Sequence, residues 1–349
     1  MAAESRRNGW VPIFGAASSG PCAFKCVVFL ELVTLTAAGK LGRIEDAIET
    51  SIRGKKEAVR MALVCLLARG HLLIEDVPGV GKTTLGQSLA RAVDGSFHRL
   101  QFTSDMLPSD VLGVTVYNSH SEEFEFKPGP IFTNFLLADE INRTTPKTQS
   151  ALLEAMNEQQ VSIEGRTLAL PEPFMVIATQ NPADHHGTYP LPESQLDRFL
   201  MRLRIGYPDA ASERDIIRQP DARHGEATPR VLMRDELAEL REAVRQVPVD
   251  DAIVDYMLAI VERTRNHEGL ALGVSPRGSQ AFYRAVQAHA VVEGRAYALP
   301  DDVKALAPKV FGHRVVPAAR SALARRNGNG AAAGERIIEE ILAEIDVPL

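Results

Sequence analysis

Beyond residue 41 the chain moves between two hydrophobic rhythms. In GRIEDAIETSIRGKKEAVRMALVCLLARG, residues 42–70, apolar positions recur at helical spacing on both sides of Gly54, which predicts helix, turn, helix. HLLIED (71–76), NFLLAD (134–139) and FMVIATQN (174–181) are instead short apolar runs that end on a polar residue, as strands buried on both faces of a parallel sheet do. TTLGQSLARAV (83–93) returns to the helical period. VTVYNSHSEEFEF (114–126) and QVSIEGRTLALPEP (160–173), the latter centred on Glu164 and Gly165, alternate around a polar turn and predict two β-hairpins. From 206 to 231 the apolar runs give way to charge, glycine and proline, which marks a boundary. DELAELREAVRQV, DAIVDYMLAIVERTR, PRGSQAFYRAVQAHAVVEG and PDDVKALAPKVFGHRV then predict an all-helical second unit. A glycine-rich loop, RRNGNGAAAGE, precedes a last helix near residues 335–345. The expected organisation is an α/β core over 41–208, a linker over 209–230 and a helical domain over 231–349.

Composition narrows the function classes more than the fold. A chain of 349 residues holds two domains, and 45% hydrophobic with 24% charged residues excludes wholesale disorder. A net charge of −6 carries no overall basic footprint for nucleic acid and no polybasic membrane patch. Three cysteines, Cys22, Cys26 and Cys65, lack metal-ligand spacing and fit a reducing compartment, so the cytoplasm is expected. Near the start, Arg6 and Arg7 precede CVVFLELVTLTAA (26–38), a faint likeness of a signal peptide. Glu31 interrupts that run, which is also too short to span a bilayer. Residues 1–40 are expected to be a poorly ordered extension.

Chemistry enters at EDVPGVGKTT, residues 75–84, which follows a predicted strand and opens a predicted helix. The general phosphate-loop pattern G-x-x-x-x-G-K-[ST] asks for glycine where this chain has Asp76. Asp76 sits at the strand end, ahead of the stretch that Pro78 opens and in which the backbone N–H groups around Gly79, Val80 and Gly81 would wrap phosphates. Lys82 would reach the β- and γ-phosphates, Thr83 would offer its hydroxyl to Mg²⁺, and Thr84 continues the loop into the helix. A plain glycine-rich turn with one exposed lysine is the alternative. In NFLLADEINR, Asp139 suits Mg²⁺ coordination and Glu140 suits activation of a water, although a DE pair is also a common acidic helix start. Asn181 closes a third strand. In a parallel sheet these strand ends share one edge, so Lys82, Asp139 and Asn181 can meet in one crevice.

These residues, with QFTSDMLPSDVLGV, FKPGPIF, LLADEINRTTPKTQSALLEAMNEQQV, ATQNP and GTYPLPESQLDRF, resemble the MoxR family of AAA+ ATPases. The resemblance runs from about residue 45 to the C-terminus and is most specific between 71 and 208. It implies a P-loop NTPase core with a parallel sheet between helices, an all-helical lid, ATP and Mg²⁺ as cofactors, and a homo-oligomeric ring, commonly a hexamer. Asp76 is what that family's loop carries. Position by position, Lys82 and Thr83 match Walker A, Asp139 and Glu140 Walker B, and Asn181 the sensor that orients the attacking water. Arg198 matches the arginine finger offered to a neighbouring subunit, though spacing alone also fits a salt bridge with Asp197. Arg277 in GVSPRGSQAF matches the second sensor at the start of a lid helix. The two hairpins match insertions that face partners or a central pore; edge hairpins that merely extend the sheet are the alternative.

The resemblance implies ATP hydrolysis that remodels or activates a partner protein. Relatives are associated with von Willebrand factor A domains, and this chain has no D-x-S-x-S signature, so that partner would act in trans. The rivals are a DNA-acting AAA+ motor, a magnesium-chelatase-type motor subunit and a slow nucleotide-switched adaptor. His185 and His186 are adjacent with no third ligand in sight and receive no metal role.

Overall fold

The central sheet is built from strands covered on both faces, and its residues sort by parity. The computed structural model is described over residues 37–163, 165–181, 188–218, 228–318 and 330–348. The chain opens with helices α1 (37–49) and α2 (Lys56–Leu67), then β1 (Leu72–Glu75), α3 (Lys82–Ala92) and β2 (Phe97–Gln101). Next come α4 (Pro108–Leu112), the hairpin β3 (Gly113–Asn118) and β4 (Glu123–Pro128), β5 (Phe135–Asp139) and α5 (Pro146–Glu158). A second hairpin, β6 (Gln160–Ile163) and β7 (Arg166–Ala169), leads to β8 (Met175–Gln180), α6 (Glu193–Leu196) and β9 (Met201–Leu203). The sheet order is β2-β5-β8-β1-β9, with every neighbouring pair parallel.

Because side chains alternate along a strand, Leu72, Ile74, Leu137 and Ile177 fall on one face and Leu73, Leu136, Val176 and Ala178 on the other. The first face packs against α2, α3 and the second unit. The second packs against α5 through Leu152, Leu153 and Met156. At the head of β1, His71 is buried. Its Nδ1 accepts from Val176 N (3.0 Å), and its Nε2 lies 3.1 Å from the Met156 carbonyl. Burial lowers its pKa to about 4, so the ring is neutral at physiological pH.

Two edge strands, β2 and β9, carry none of the apolar continuity that marks β1, β5 and β8. The boundary expected at residue 41 also moves, because α1 already covers residues 37–40. Ala37, Leu41, Ile44 and Ile48 form one buried stripe, and Lys40 pairs with Glu236. The rest of the N-terminal extension, with Cys22 and Cys26, lies outside the described residues.

The second unit follows α7 (Ala210–Arg218), a helix inside the stretch expected to be linker. It comprises α8 (Arg234–Arg245), α9 (Asp251–Arg265), α10 (Pro276–Val292), α11 (Pro300–Phe311) and α12 (Gly330–Glu344). Caps fix its starts: Asp250 accepts from Ala252 N ahead of α9, and Ser275 accepts from Gly278 N ahead of α10, whose first residue is proline. The rings of Phe282 and Phe311 meet in its core with centroids 4.4 Å apart and planes tilted by 52°. The unit is not wholly helical, since β10 (Leu270–Leu272) pairs antiparallel with β11 (Val316–Pro317). Among the described residues no helix is long and apolar enough to cross a membrane.

Candidate active site

The loop after β1 is shaped by backbone conformation. Gly79 and Gly81 sit at φ of 83° and 95°, the left-handed region that a side chain would strain. Gly81 is the N-cap of α3 and provides no side-chain cap, so the first-turn N–H groups and the positive helix end are left for an anion. Val80 turns its side chain into the core and could contribute only backbone. Lys82 donates from Nζ to the Asp76 carbonyl, and burial lowers its pKa against the opposing pull of Asp139, Asp76 and Glu140.

Asp76, the apparent misfit, is the loop's anchor. Its Oδ1 accepts from Val77 N at 2.9 Å, and its Oδ2 accepts from Ile205 N at 2.7 Å and Gly206 N at 2.6 Å. One buried carboxylate therefore ties the start of the phosphate loop to the chain leaving β9.

The strand ends converge as the parallel topology requires. Pro78, Gly79, Gly81, Lys82, Thr83 and Thr84 line one wall of a cleft of about 350 Å³. Asp139, Glu140 and Asn181 line the other, with Arg99 and Gln101 from the end of β2. Asp139 Oδ1 accepts from Thr179 Oγ1 (2.6 Å), and its Oδ2 accepts from Arg99 (2.6 and 3.1 Å). The Thr179 hydroxyl also accepts from Glu140 N at 2.9 Å and so aligns both carboxylates. Glu140 has a left-handed backbone (φ 57°, ψ 49°), a conformation that costs a non-glycine residue about 1 kcal/mol or more and concentrates at functional sites. Its Oε2 is held by Gln101 Nε2 at 2.7 Å and Arg143 Nε at 3.0 Å.

Arg198 and Arg277 are not in this cleft. Arg198 lies just ahead of β9, whose first residues pair with the start of β1: Leu200 N donates to His71 O, and Met201 is in register with Leu72. That is the opposite edge of the sheet from the phosphate loop, about 16 Å away along the strand. Arg277 joins Arg198 there. Burial first, then the Arg277 charge, lowers the Arg198 pKa, while Glu154 and Glu158 of α5 oppose them. Arg277 donates to Asn157 Oδ1, also on α5. The Arg198 Nε is buried without a hydrogen-bond partner among the described residues. The salt bridge between Arg198 and Asp197 that spacing allows does not form; Asp197 pairs with Arg314 instead.

Sequence reasoning missed Arg99, Gln101 and Thr179. The first two follow from β2 once it is seen as a strand ending on the same edge; Thr179 reads as an ordinary strand residue. His185, His186 and Glu164 lie outside the described residues, among which no group of three or more His, Cys, Asp or Glu is arranged to hold a metal.

Known proteins agree with this architecture. The family model of ATPases associated with various cellular activities (AAA) matches residues 71–201, and the AAA lid domain matches 262–341. A Bacillus subtilis protein, YeaC, itself uncharacterized, is 47% identical over 88% of this chain and 95% of its own. Chaperone MoxR1 of Mycobacterium tuberculosis is 45% identical over 80% of this chain and 77% of its own. Protein MoxR of Methylorubrum extorquens is 31% identical over 78% and 86%. A crystal structure of a Cytophaga hutchinsonii protein, provisionally assigned as an ATPase, superposes with a TM-score of 0.83 at 35% identity, covering 94% of this chain and 99% of that one. With the sheet order, the loop, the paired carboxylates and the lid in agreement, the chain belongs to the MoxR family of AAA+ ATPases.

Proposed function

We propose that the protein is a Mg²⁺-dependent ATPase that works as a head-to-tail ring, with a hexamer favoured, and uses hydrolysis to remodel or activate a partner protein. One observation carries the reading: the phosphate loop and carboxylates sit on one edge of the sheet, and two arginines that form no salt bridge among the described residues sit on the other. A single subunit cannot bring the two together. A heterologous contact, one subunit's arginine edge against the next one's cleft, can, and repeated around a closing rotation it makes a ring.

Within the cleft, the loop N–H groups and Lys82 would bind ATP phosphates, and Glu140 would accept the proton of the attacking water that Asn181 orients. Thr83 and Asp139 provide the oxygen donors that suit a hard cation, so Mg²⁺ fits there once the half-exposed Arg99 withdraws from Asp139. Bound Mg²⁺ would supply charge neutralisation at the β- and γ-phosphate oxygens. Arg198, with Arg277 beside it, would stabilise charge on the γ-phosphate of the adjoining subunit.

The two hairpins are the proposed outlet to the partner. Tyr117 and Phe124 pair across β3 and β4 edge to face at 5.3 Å, yet remain 53% and 69% exposed. A von Willebrand factor A domain protein acting in trans is the partner we favour, in the cytoplasm. No nucleic-acid partner is proposed.

The test separates binding from hydrolysis. Lys82→Ala should lose ATP affinity, whereas Glu140→Gln should keep ATP and stop turnover. Arg198→Ala should bind ATP normally and hydrolyse poorly. Mixed with Glu140→Gln it should regain activity, because one interface then joins an intact Glu140 to an intact Arg198. Activity per subunit that stays constant down to monomeric dilution would overturn the ring.

A further inference from the structure

Arg198 belongs to the core and Arg277 to the lid, 79 positions further along the chain, so something must hold them together if they are to meet one phosphate. The groups at their bases do so. Asp197, the residue before Arg198, spends its two carboxylate oxygens on the lid: Oδ1 accepts from Arg314 Nε at 2.9 Å, and Oδ2 accepts from Ser275 Oγ at 3.0 Å. The Ser275 hydroxyl has one proton, which it gives to Asp197. It therefore accepts from Gly278 N at 3.0 Å and caps α10, the helix on which Arg277 is the second residue.

Arg314 completes the clamp from the other side. Its side chain is 2% exposed, and the guanidinium grips the backbone on both sides of Arg198: Nη2 donates to the carbonyls of Asp197 (3.3 Å) and Phe199 (2.6 Å), and Nη1 donates to Leu200 O at 2.9 Å. The neighbouring His313 places its Nε2 3.1 Å from Phe199 O. Gly278 makes room for the arginine stem, since a Cβ there would lie 3.0 Å from Arg314 Cδ. The planar, always-charged fork suits this multiple grip, which a lysine could not reproduce.

We propose that Asp197, Ser275 and Arg314 are positioning residues that fuse Arg198 and Arg277 into one rigid two-cation unit, presented to the neighbouring subunit's nucleotide. The proposal rests on the reading that Arg198 acts across a subunit boundary. None of the three touches the chain's own cleft, so their loss should leave the mutant subunit's ATP site intact and impair the site next to it.

The experiment uses the full-length chain with Arg198→Ala, Asp197→Asn, Ser275→Ala and the double variant Asp197→Asn/Arg198→Ala, each measured for binding of a fluorescent ATP analogue, kcat, KM and recovery on mixing with Glu140→Gln. Asp197→Asn should retain analogue affinity and KM and lose roughly a hundredfold in kcat, the scale of a misplaced catalytic group. It should regain activity on mixing, as Arg198→Ala does. The double variant Asp197→Asn/Arg198→Ala should be no slower than Arg198→Ala alone, because both changes disable one unit. Where Asp197→Asn lowers the folded yield, Ser275→Ala decides, with a smaller loss of the same pattern.

Wild-type kcat in both clamp variants overturns the proposal. So does a loss that appears in analogue affinity and is not recovered by mixing, which marks a merely structural bridge. Recovery with Arg198→Ala but not with the clamp variants overturns the proposal alone. No recovery with Arg198→Ala overturns the cross-subunit reading and the proposal with it.

Discussion

Replacing Asp76 by glycine turns EDVPGVGKTT into a full match to G-x-x-x-x-G-K-[ST], and it should make the protein worse. The Asp76 carboxylate accepts from three backbone N–H groups: Val77, Ile205 and Gly206. Hydrogen bonds to a charged acceptor contribute about 1.5–3 kcal/mol each, and a buried donor left unpaired costs about 1–3 kcal/mol. The Ile205 N–H bond is buried and the Gly206 bond partly so. Allowing for partial recovery by water at Val77 and Gly206, Asp76→Gly should destabilise by about 3–5 kcal/mol. Asp76→Asn can keep its oxygen toward Ile205 and Gly206 but then sets its NH2 donor against the Val77 N–H and loses that bond, so it should cost about 1–2 kcal/mol. Urea unfolding gives the stabilities, and titration with a fluorescent ATP analogue gives the affinities. Both should fall in the order wild type, Asp76→Asn, Asp76→Gly, because the loop that loses its anchor must be ordered by the nucleotide itself. An Asp76→Gly protein as stable as wild type, with equal affinity, would refute this account of the loop.

Other outcomes follow from single groups. His71 has a folded pKa of about 4 against an ordinary 6.5, so its contribution is full above pH 6.5 and is lost as pH falls towards 4. About 3 kcal/mol of stability should disappear over that window. His71→Gln, able to accept from Val176 and donate to Met156, should flatten the slope but not abolish it, since buried His313 has the same sign. Equal slopes in both proteins would remove His71 from the account. Phe124→Ser should leave ring assembly and basal ATPase within about twofold, because an exposed surface change carries little stability. Partner remodelling should fail in that variant, and a wild-type remodelling rate would take the hairpin out of the coupling path.

Much of the core was legible because burial on both faces leaves a continuous apolar signature, as LLIE, FLLAD and MVIATQ show. The same logic places Lys82, Asp139 and Asn181 on one edge from the sequence alone. Strand β2, FHRLQ, is an edge strand with a largely exposed face, so its polar residues hid it, and Arg99 and Gln101 with it. Strand β9 is only MRL, and its buried Arg202 looks wrong for a strand until Glu75 and Glu335 are seen at 3.1 and 2.7 Å. Nothing local marks that neutralisation. The link between Asp197 and Arg314 spans 117 positions and leaves no periodic trace at either end. Helix α1 begins before residue 41 because Ala37 belongs both to its buried stripe and to the apolar run 26–38, with no stop signal in the sequence to part them.

Strand β9 has a consequence out of proportion to its three residues. Ahead of it stands Arg198, at the edge opposite the subunit's own cleft; behind it, Ile205 and Gly206 hold the carboxylate that anchors that cleft's loop. At most roughly 25 Å of chain separates Arg198 from Ile205. With Arg198 acting across a subunit boundary as proposed, a subunit so built would have an input end and an output end on one stiff strut. Copies joined nose to tail would pass occupancy from each cleft to the next in a single sense, so the order of firing around such an assembly would be written into the polarity of one edge strand.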